Sequence, residues 1–117
     1  MKFKFSLPPT TNSTYRAVYS SHLKRTVFFS SYESKKWKKQ AEEVIGQQKI
    51  IENPVQVNIK WFLKFSRDID GGIKLILDGL QGTIIKNDSQ VNILHIEKFK
   101  TKDNPRVEVE VLSIDTV

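Results

Sequence analysis

The chain has 117 residues, no cysteine and a formal net charge of +6. This length is enough for one domain with its own core, and the lack of cysteine excludes disulfides and thiolate metal sites. No apolar run has the length of a membrane span, and no secretory signal core is present near residue 1. We therefore expect a single domain over residues 1–117 that is not in a membrane and works in a reducing cytoplasm.

The charge is unevenly distributed. Residues 1–67 hold 13 Lys/Arg and 4 Asp/Glu, a net charge of +9, whereas residues 68–117 hold 6 and 9, a net charge of −3. A basic half suits a polyanion such as nucleic acid, because each phosphate contact releases counterions. The acidic cluster would repel phosphate unless cations neutralised it. The alternative is a domain whose surface charge is simply uneven.

The first 30 residues predict a strand and a long loop. Polar and apolar residues alternate over Lys2–Leu7, and Pro8-Pro9 ends that strand because proline supplies no ladder donor. From Thr10 to about Arg25 there is no clear periodicity, which predicts a loop of a length that is often functional. Its tyrosines could stack on bases or hold the loop against the domain. Its cations are candidates for contacts to a nucleic-acid backbone: Arg16, Lys24 and Arg25.

A lysine-rich helix follows. Ser30 and Glu33 have the spacing of a capping box, and the helix is expected to stop near Gly46, at about Gln47. Its apolar residues form one stripe: Trp37, Ala41, Val44 and Ile45. The lysines around Trp37 form either a solvated face or a DNA-binding face, and the candidates for DNA contact are Lys35, Lys36 and Lys39.

The clearest strand runs from Val55 to Phe65, with apolar side chains at alternate positions. It leads into Arg67, a further candidate for DNA contact, and then into Asp68 and Asp70. Side chains alternate along an extended chain, so the two carboxylates would share one side with their α-carbons roughly 6.5 Å apart. Both could then reach one divalent cation.

A second helix is predicted by the spacing of Ile73, Ile76, Leu77 and Leu80. Asp70 is expected as its N-cap, and Gly82 lies just past its end. Lys74 follows Asp70 by one helical turn, so the two can face one site. The alternative is an ordinary i,i+4 surface ion pair, which Lys74 could also form with Asp78.

Two final strands, Val91–Phe99 and Arg106–Leu112, are expected to form a hairpin around residues 102–105. The fold class is therefore α+β: a mostly antiparallel or mixed β-sheet with two helices packed on one face, in the order β-α-β-α-β-β. His22 and His95 stand alone in the sequence and are interpreted as structural or surface residues.

The ordered motifs resemble the RusA-type Holliday junction resolvases, which are common in phages. The resemblance extends from about Phe5 to Val111. The matching segments are Leu7-Pro8-Pro9-Thr10-Thr11-Asn12 through Tyr15-Arg16, Arg67-Asp68-Ile69-Asp70-Gly71-Gly72-Ile73-Lys74, Leu77-Asp78-Gly79-Leu80 and Asn87-Asp88-Ser89-Gln90-Val91.

The resemblance implies a metal-dependent crossover junction endodeoxyribonuclease that acts as a homodimer in DNA recombination and repair. Asp68, Asp70 and Asp88 would hold Mg²⁺ or Mn²⁺, and Lys74 would be the catalytic lysine. Each of two active sites would nick one of two opposed strands of a four-way DNA junction. Without the resemblance, the three aspartates read as an ion-pair partner of Arg67, a helix cap and a turn residue.

Two positions depart from the family pattern. Gly71 replaces the asparagine that usually follows the second aspartate, and Asn87 replaces the first of two paired acids. One negative charge is therefore missing, so we expect the ion to be held less tightly. The alternatives are a catalytically weak module that binds junctions or other branched DNA, and a nuclease of the same chemistry that acts on other branched substrates.

Overall fold

The structure is a computed structural model that describes residues 1–9, 15–20, 25–30, 32–67 and 69–114, with the backbone alone at 15–20, 25–30 and 70–71. In chain order, the elements are β1 (Lys2–Phe5), β2 (Tyr15–Ser20), β3 (Arg25–Ser30), α1 (Tyr32–Ile45), β4 (Val55–Leu63), α2 (Asp70–Leu80), a 3₁₀ turn (Asp88–Gln90), β5 (Val91–Lys100) and β6 (Arg106–Ser113).

The main sheet has four strands in the order β1-β6-β4-β5. β4 runs parallel to β5 and antiparallel to β6, and β1 pairs antiparallel with β6. The parallel register places Val55 opposite Val91 and Leu63 opposite Lys100. The start of β5 therefore lies at the same edge of the sheet as the start of β4, and the ends of these two strands share the opposite edge.

The core lies between one face of this sheet and the two helices. Every second residue of β4 is buried, from Val55 to Leu63, because side chains alternate across a strand. Trp37 and Ala41 of α1 and Leu80 of α2 join the same cluster. The predicted α+β class, with both helices on one face of a mixed sheet, is confirmed.

The predicted hairpin between the last two strands is wrong. β4 lies between β5 and β6, so residues 101–105 cross the end of β4 rather than forming a tight turn, and Thr101 N–H donates to Leu63 O at 2.9 Å. The sequence pattern correctly marked both strands. Alternation alone does not say which neighbours a strand pairs with.

The predicted loop from Thr10 to Arg25 is also partly wrong. β2 and β3 form an antiparallel two-stranded sheet of their own, with Ala17 opposite Phe28. β1 ends at Phe5, earlier than predicted. Helix α1 ends at Ile45 and is followed by Gly46 at φ 68°, as expected for a glycine stop. Val44, predicted to be buried, is exposed.

Among the described residues, no helix combines the length and apolar character that crossing a membrane requires.

Candidate active site

The segment after β4 carries the acidic motif. β4 ends at Leu63, and Phe65, predicted to continue its buried face, is 79% exposed. Asp68 lies outside the described residues. Asp70 is the first residue of α2 rather than its N-cap, a correction of the prediction, since Ile69 occupies the cap position and accepts the N–H of Ile73 at 3.2 Å. The acidic motif therefore lies at the start of α2.

The first turn of α2 rests on a buried tryptophan. Trp61 of β4 is fully buried, and a Cβ built on Gly72 would lie 2.4 Å from its Cη2 atom and 3.2 Å from Cγ of Pro8. Real side chains essentially never approach this closely, so only glycine fits here. The absence of a side chain at residue 72 thus allows the helix start to contact Trp61.

Arg67 is a packed residue and not a freely exposed cation. Its guanidinium carbon lies 5.5 Å from the centre of the Trp61 ring, and Nη2 donates to Pro9 O at 3.2 Å. Burial lowers the pKa of the Arg67 guanidinium below its ordinary value. Lys98 Nζ donates to Arg67 O at 3.1 Å. The chain leading to Asp68 is thereby fixed from both sides.

The Leu7-Pro8-Pro9 segment of the family motif is tied to the rest of the fold by hydrogen bonds. Trp37 Nε1 of α1 donates to Ser6 O at 2.7 Å, and Arg67 Nη2 donates to Pro9 O. Pro8 contacts the position of Gly72. The segment therefore links α1, the end of β4 and the start of α2.

Lys74, the predicted catalytic lysine, lies one turn along α2. Its Nζ is 3.7 Å from Oδ2 of Asp78, and its side chain is mostly exposed. This is the surface ion pair that the sequence offered as the alternative role. Exposed pairs of this kind contribute only about 0–1 kcal/mol, so the pair does not prevent Lys74 from reaching a bound phosphate.

Asp88 begins the 3₁₀ turn before β5, and its side chain is exposed. Asn87 caps this turn, with Oδ1 accepting the N–H of Ser89 at 2.9 Å. Gln90 completes a capping box: its Oε1 accepts the N–H groups of Lys86 and Asn87 at 2.8 and 2.9 Å. Asn87 therefore preserves the turn although it lacks the charge of the family's acid.

Gln90 also anchors the turn to the start of β4. Its Nε2 donates to Ile51 O at 2.7 Å and to Asn53 O at 2.9 Å. The turn that carries Asp88 is consequently held at the edge of the sheet where β4 and β5 begin.

Within one chain, the structure does not bring Asp88 to the start of α2. Gly72 packs on Trp61, whereas Asp88 lies beside the start of β4, and the six residue steps from Val55 to Trp61 span about 20 Å of strand. Aspartates that share one cation each bind it at about 2.0–2.6 Å, so they cannot bridge such a gap. In the described part of the chain, no three Asp, Glu or His side chains gather into a metal-binding group. Within one chain, the backbone of Asp70 therefore lies toward the opposite edge of the sheet from Asp88.

The predicted DNA-binding cations have separate positions. Lys35, Lys36 and Lys39 are exposed on α1, and Lys36 lines a shallow cleft beside Pro9. Arg16 and Arg25 belong by their backbones to the β2–β3 hairpin, and Lys24 lies outside the described residues. Of the two histidines, His95 is exposed on β5 and His22 lies outside the described residues.

The sequence reading missed a second basic surface next to the acidic motif. A depression at the shared ends of β4 and β5 is lined by Lys64, Phe65, Lys98, Phe99 and Lys100. The signal for it was the three lysines near the strand ends, but recognising it required knowing that β5 runs parallel to β4. Lys64 and Phe65 of this surface lie just before Arg67 in the chain.

The fold and site define a small, basic α+β domain with a cationic surface beside an acidic helix start, features suited to a protein that acts on nucleic acid. Comparison with protein families identifies it more closely. The family described as endodeoxyribonuclease RusA matches residues 7–112, nearly the whole chain. The chain belongs to this family of endodeoxyribonucleases, which act on branched DNA and resolve Holliday junctions. A search of curated proteins gave no match.

Proposed function

We propose that this chain resolves four-way DNA junctions as a homodimer, with Mg²⁺ or Mn²⁺ bound by Asp68, Asp70 and Asp88, as part of DNA recombination and repair. The observation that carries the proposal is the family match over residues 7–112, which includes all the acidic motifs. When bound, hard cations of this kind supply charge stabilisation to phosphodiester hydrolysis.

The residues around the acidic motif support this function. The surface of Lys64, Lys98 and Lys100 surrounds the strand end from which the chain leads to Asp68. Its charge suits two phosphate backbones that approach each other at a branch point. Phe65 is exposed beside these lysines, and a base unpaired at the branch could stack on its ring. We infer that this surface binds the DNA next to the cut.

Lys74 on α2 adds a further positive charge near the acidic motif. It is mostly exposed, one helical turn after Asp70, so its ammonium group can reach a phosphate placed at the helix start. There it would neutralise the departing oxygen or orient the attacking water. Asp78 holds Lys74 until DNA binds.

Replacing Asp70 tests the proposal. We expect Asp70→Asn to abolish the cutting of a synthetic four-way junction in Mg²⁺ or Mn²⁺, while binding in a gel-shift assay stays intact or tightens. Binding should persist because one negative charge near the phosphates is lost.

The matched control is Glu42→Gln, an exposed acid on α1, which should cut as the wild type does. Full cleavage by Asp70→Asn would show that the site is wrongly assigned. Junction binding without cutting by the wild-type chain would support the catalytically weak binding module, and equal cutting of three-way junctions would indicate a broader branched-DNA nuclease. Mapping the cuts on each strand tests whether they are paired.

A further inference from the structure

Two phenylalanines and an arginine form a continuous stack across the main sheet. Phe62 follows the buried Trp61 in β4, so its side chain lies on the face of the sheet opposite the helices. The centres of the Phe62 and Phe99 rings lie 5.1 Å apart, with their planes 17° from parallel. The guanidinium carbon of Arg106 lies 4.0 Å from the centre of the Phe62 ring. Because β5 and β6 flank β4 on opposite sides, both faces of the Phe62 ring are covered.

The arginine end of this stack is fixed by hydrogen bonds. Arg106 Nε donates to Oε2 of Glu108 at 2.7 Å, and Nη1 donates to Asn104 O at 3.1 Å. The guanidinium is thereby held over Phe62, where cation and ring attract each other. Phe62 in turn packs against Phe99 and restricts its ring. A side chain that is already ordered loses little further freedom when a ligand contacts it, which favours binding.

The Phe99 end of the stack is open. β5 is an edge strand, since no strand among the described residues pairs with its outer side, and Phe99 is 38% exposed. Phe62 covers one face of the Phe99 ring, so the other face is turned toward the edge of the sheet. The stack that starts at Arg106 therefore ends at a ring on which one more flat group can lie.

Lysines surround this open end. Phe99 lines the depression at the shared ends of β4 and β5, which has a volume of about 350 Å³, together with Phe65, Lys64, Lys98 and Lys100. None of the described residues that line it is acidic. A flat aromatic ligand with a negative charge on either side suits such a surface, and a nucleobase between two phosphates has this chemistry. Within a duplex the faces of a base are covered by its neighbours, so the base must be unpaired.

We propose that Phe99, supported by Phe62 and Arg106, binds one unpaired DNA base, while Lys64 and Lys100 contact the phosphates on either side of it. The inference rests on the proposed function for the source of this base, which is the branch point of a junction. Binding of the base itself requires neither a metal ion nor the acidic motif. The stack thus lets the protein distinguish branched DNA from an uninterrupted duplex.

Binding of DNA with and without one unpaired base tests the proposal. Fluorescence anisotropy is measured in EDTA on two labelled duplexes, one fully paired and one bulged by a single extra thymine in one strand. The wild type should bind the bulged duplex more tightly. Phe99→Leu keeps an apolar side chain but removes the flat ring, so its affinity for the bulged duplex should fall about tenfold while its affinity for the paired duplex is unchanged.

Three further variants separate stacking from a general loss of structure. Phe99→Trp retains a flat ring and should bind the bulged duplex at least as tightly as the wild type. Arg106→Lys keeps the charge but not the planar contact with Phe62, so it should weaken binding of the bulged duplex alone. Ile93→Ala is the matched control, because Ile93 is exposed on β5 away from the stack and should leave both affinities unchanged.

A wild type that binds both duplexes equally overturns the proposal, as does a folded Phe99→Leu protein that binds the bulged duplex like the wild type. If Phe99→Leu does not fold, wild-type affinities in Arg106→Lys overturn it instead. Cleavage of a four-way junction in Mg²⁺ is assayed separately on the wild type. Preference for the bulged duplex without cleavage would refute the proposed function and support the stack, whereas cleavage without this preference would do the reverse.

Discussion

Adding one methyl group at Gly72 should destabilise the protein. In Gly72→Ala, the new Cβ would lie 2.4 Å from Cη2 and 3.1 Å from Cζ2 of Trp61, about 1 Å closer than ordinary contact. The ring is fully buried and Cγ of Pro8 lies 3.2 Å from the new Cβ, so the helix start must shift. Overpacking of this kind costs about 1–3 kcal/mol, while alanine in a helix gains up to about 1 kcal/mol over glycine. The free energy of unfolding should fall by about 1–2 kcal/mol.

The matched control is the same substitution at the other end of α2. A Cβ on Gly79 would lie 3.4 Å from Cζ3 of Trp37, an ordinary contact, so Gly79→Ala should be neutral or gain up to about 1 kcal/mol. Urea unfolding followed by tryptophan fluorescence measures both variants. If Gly72→Ala proves as stable as Gly79→Ala, the packing of Trp61 against the helix start is not the constraint described here.

Two further substitutions test the contacts that hold the acidic segments. Arg67→Ala removes the contact with the Trp61 ring and the hydrogen bond to Pro9 O, so it should lower the free energy of unfolding by about 1–2 kcal/mol. Lys98→Ala removes only an exposed hydrogen bond and should lower the free energy of unfolding less. Equal losses in the two variants would argue against a structural role of the Arg67 guanidinium. Gln90→Ala removes four hydrogen bonds and should lower the free energy of unfolding by about 2 kcal/mol in urea unfolding. Gln90→Glu keeps an acceptor for the N–H groups of Lys86 and Asn87 but turns a carboxylate oxygen toward Ile51 O and Asn53 O, so it should be destabilised too, and wild-type stability of both variants would contradict this account.

Local patterns predicted the elements of this fold well because alternation and helical spacing depend only on neighbouring residues. The buried face of β4 and the glycine stops at Gly46 and Gly82 are examples, with φ of 68° and 85° at the two glycines. The pairing of strands was not predictable in this way. The order β1-β6-β4-β5 depends on contacts distant in sequence, and this is why the β5–β6 hairpin was predicted wrongly.

In the candidate site, too, the sequence predicted local features but not contacts between residues distant in the chain. The ordered motifs were sufficient to place the chain in its family, and the match over residues 7–112 confirms that assignment. The motifs said nothing about the distance between Asp70 and Asp88, which depends on the parallel pairing of β4 with β5. Similarly, an arginine beside the acidic motif is expected from sequence to contact DNA, and only the packing of Arg67 on Trp61 reveals a structural role.

The position of β6 constrains the order in which the protein can fold during synthesis. β6 lies between β1 and β4, so the main sheet joins its first strand to the rest only through residues 106–113. A nascent chain emerging from the ribosome must therefore keep β1 unpaired while about a hundred residues are translated. Until β6 emerges, Phe3 and Phe5 lack the strand that orders them against the core. β1 is thus expected to dock only after β6 has emerged, as the last strand to join the main sheet.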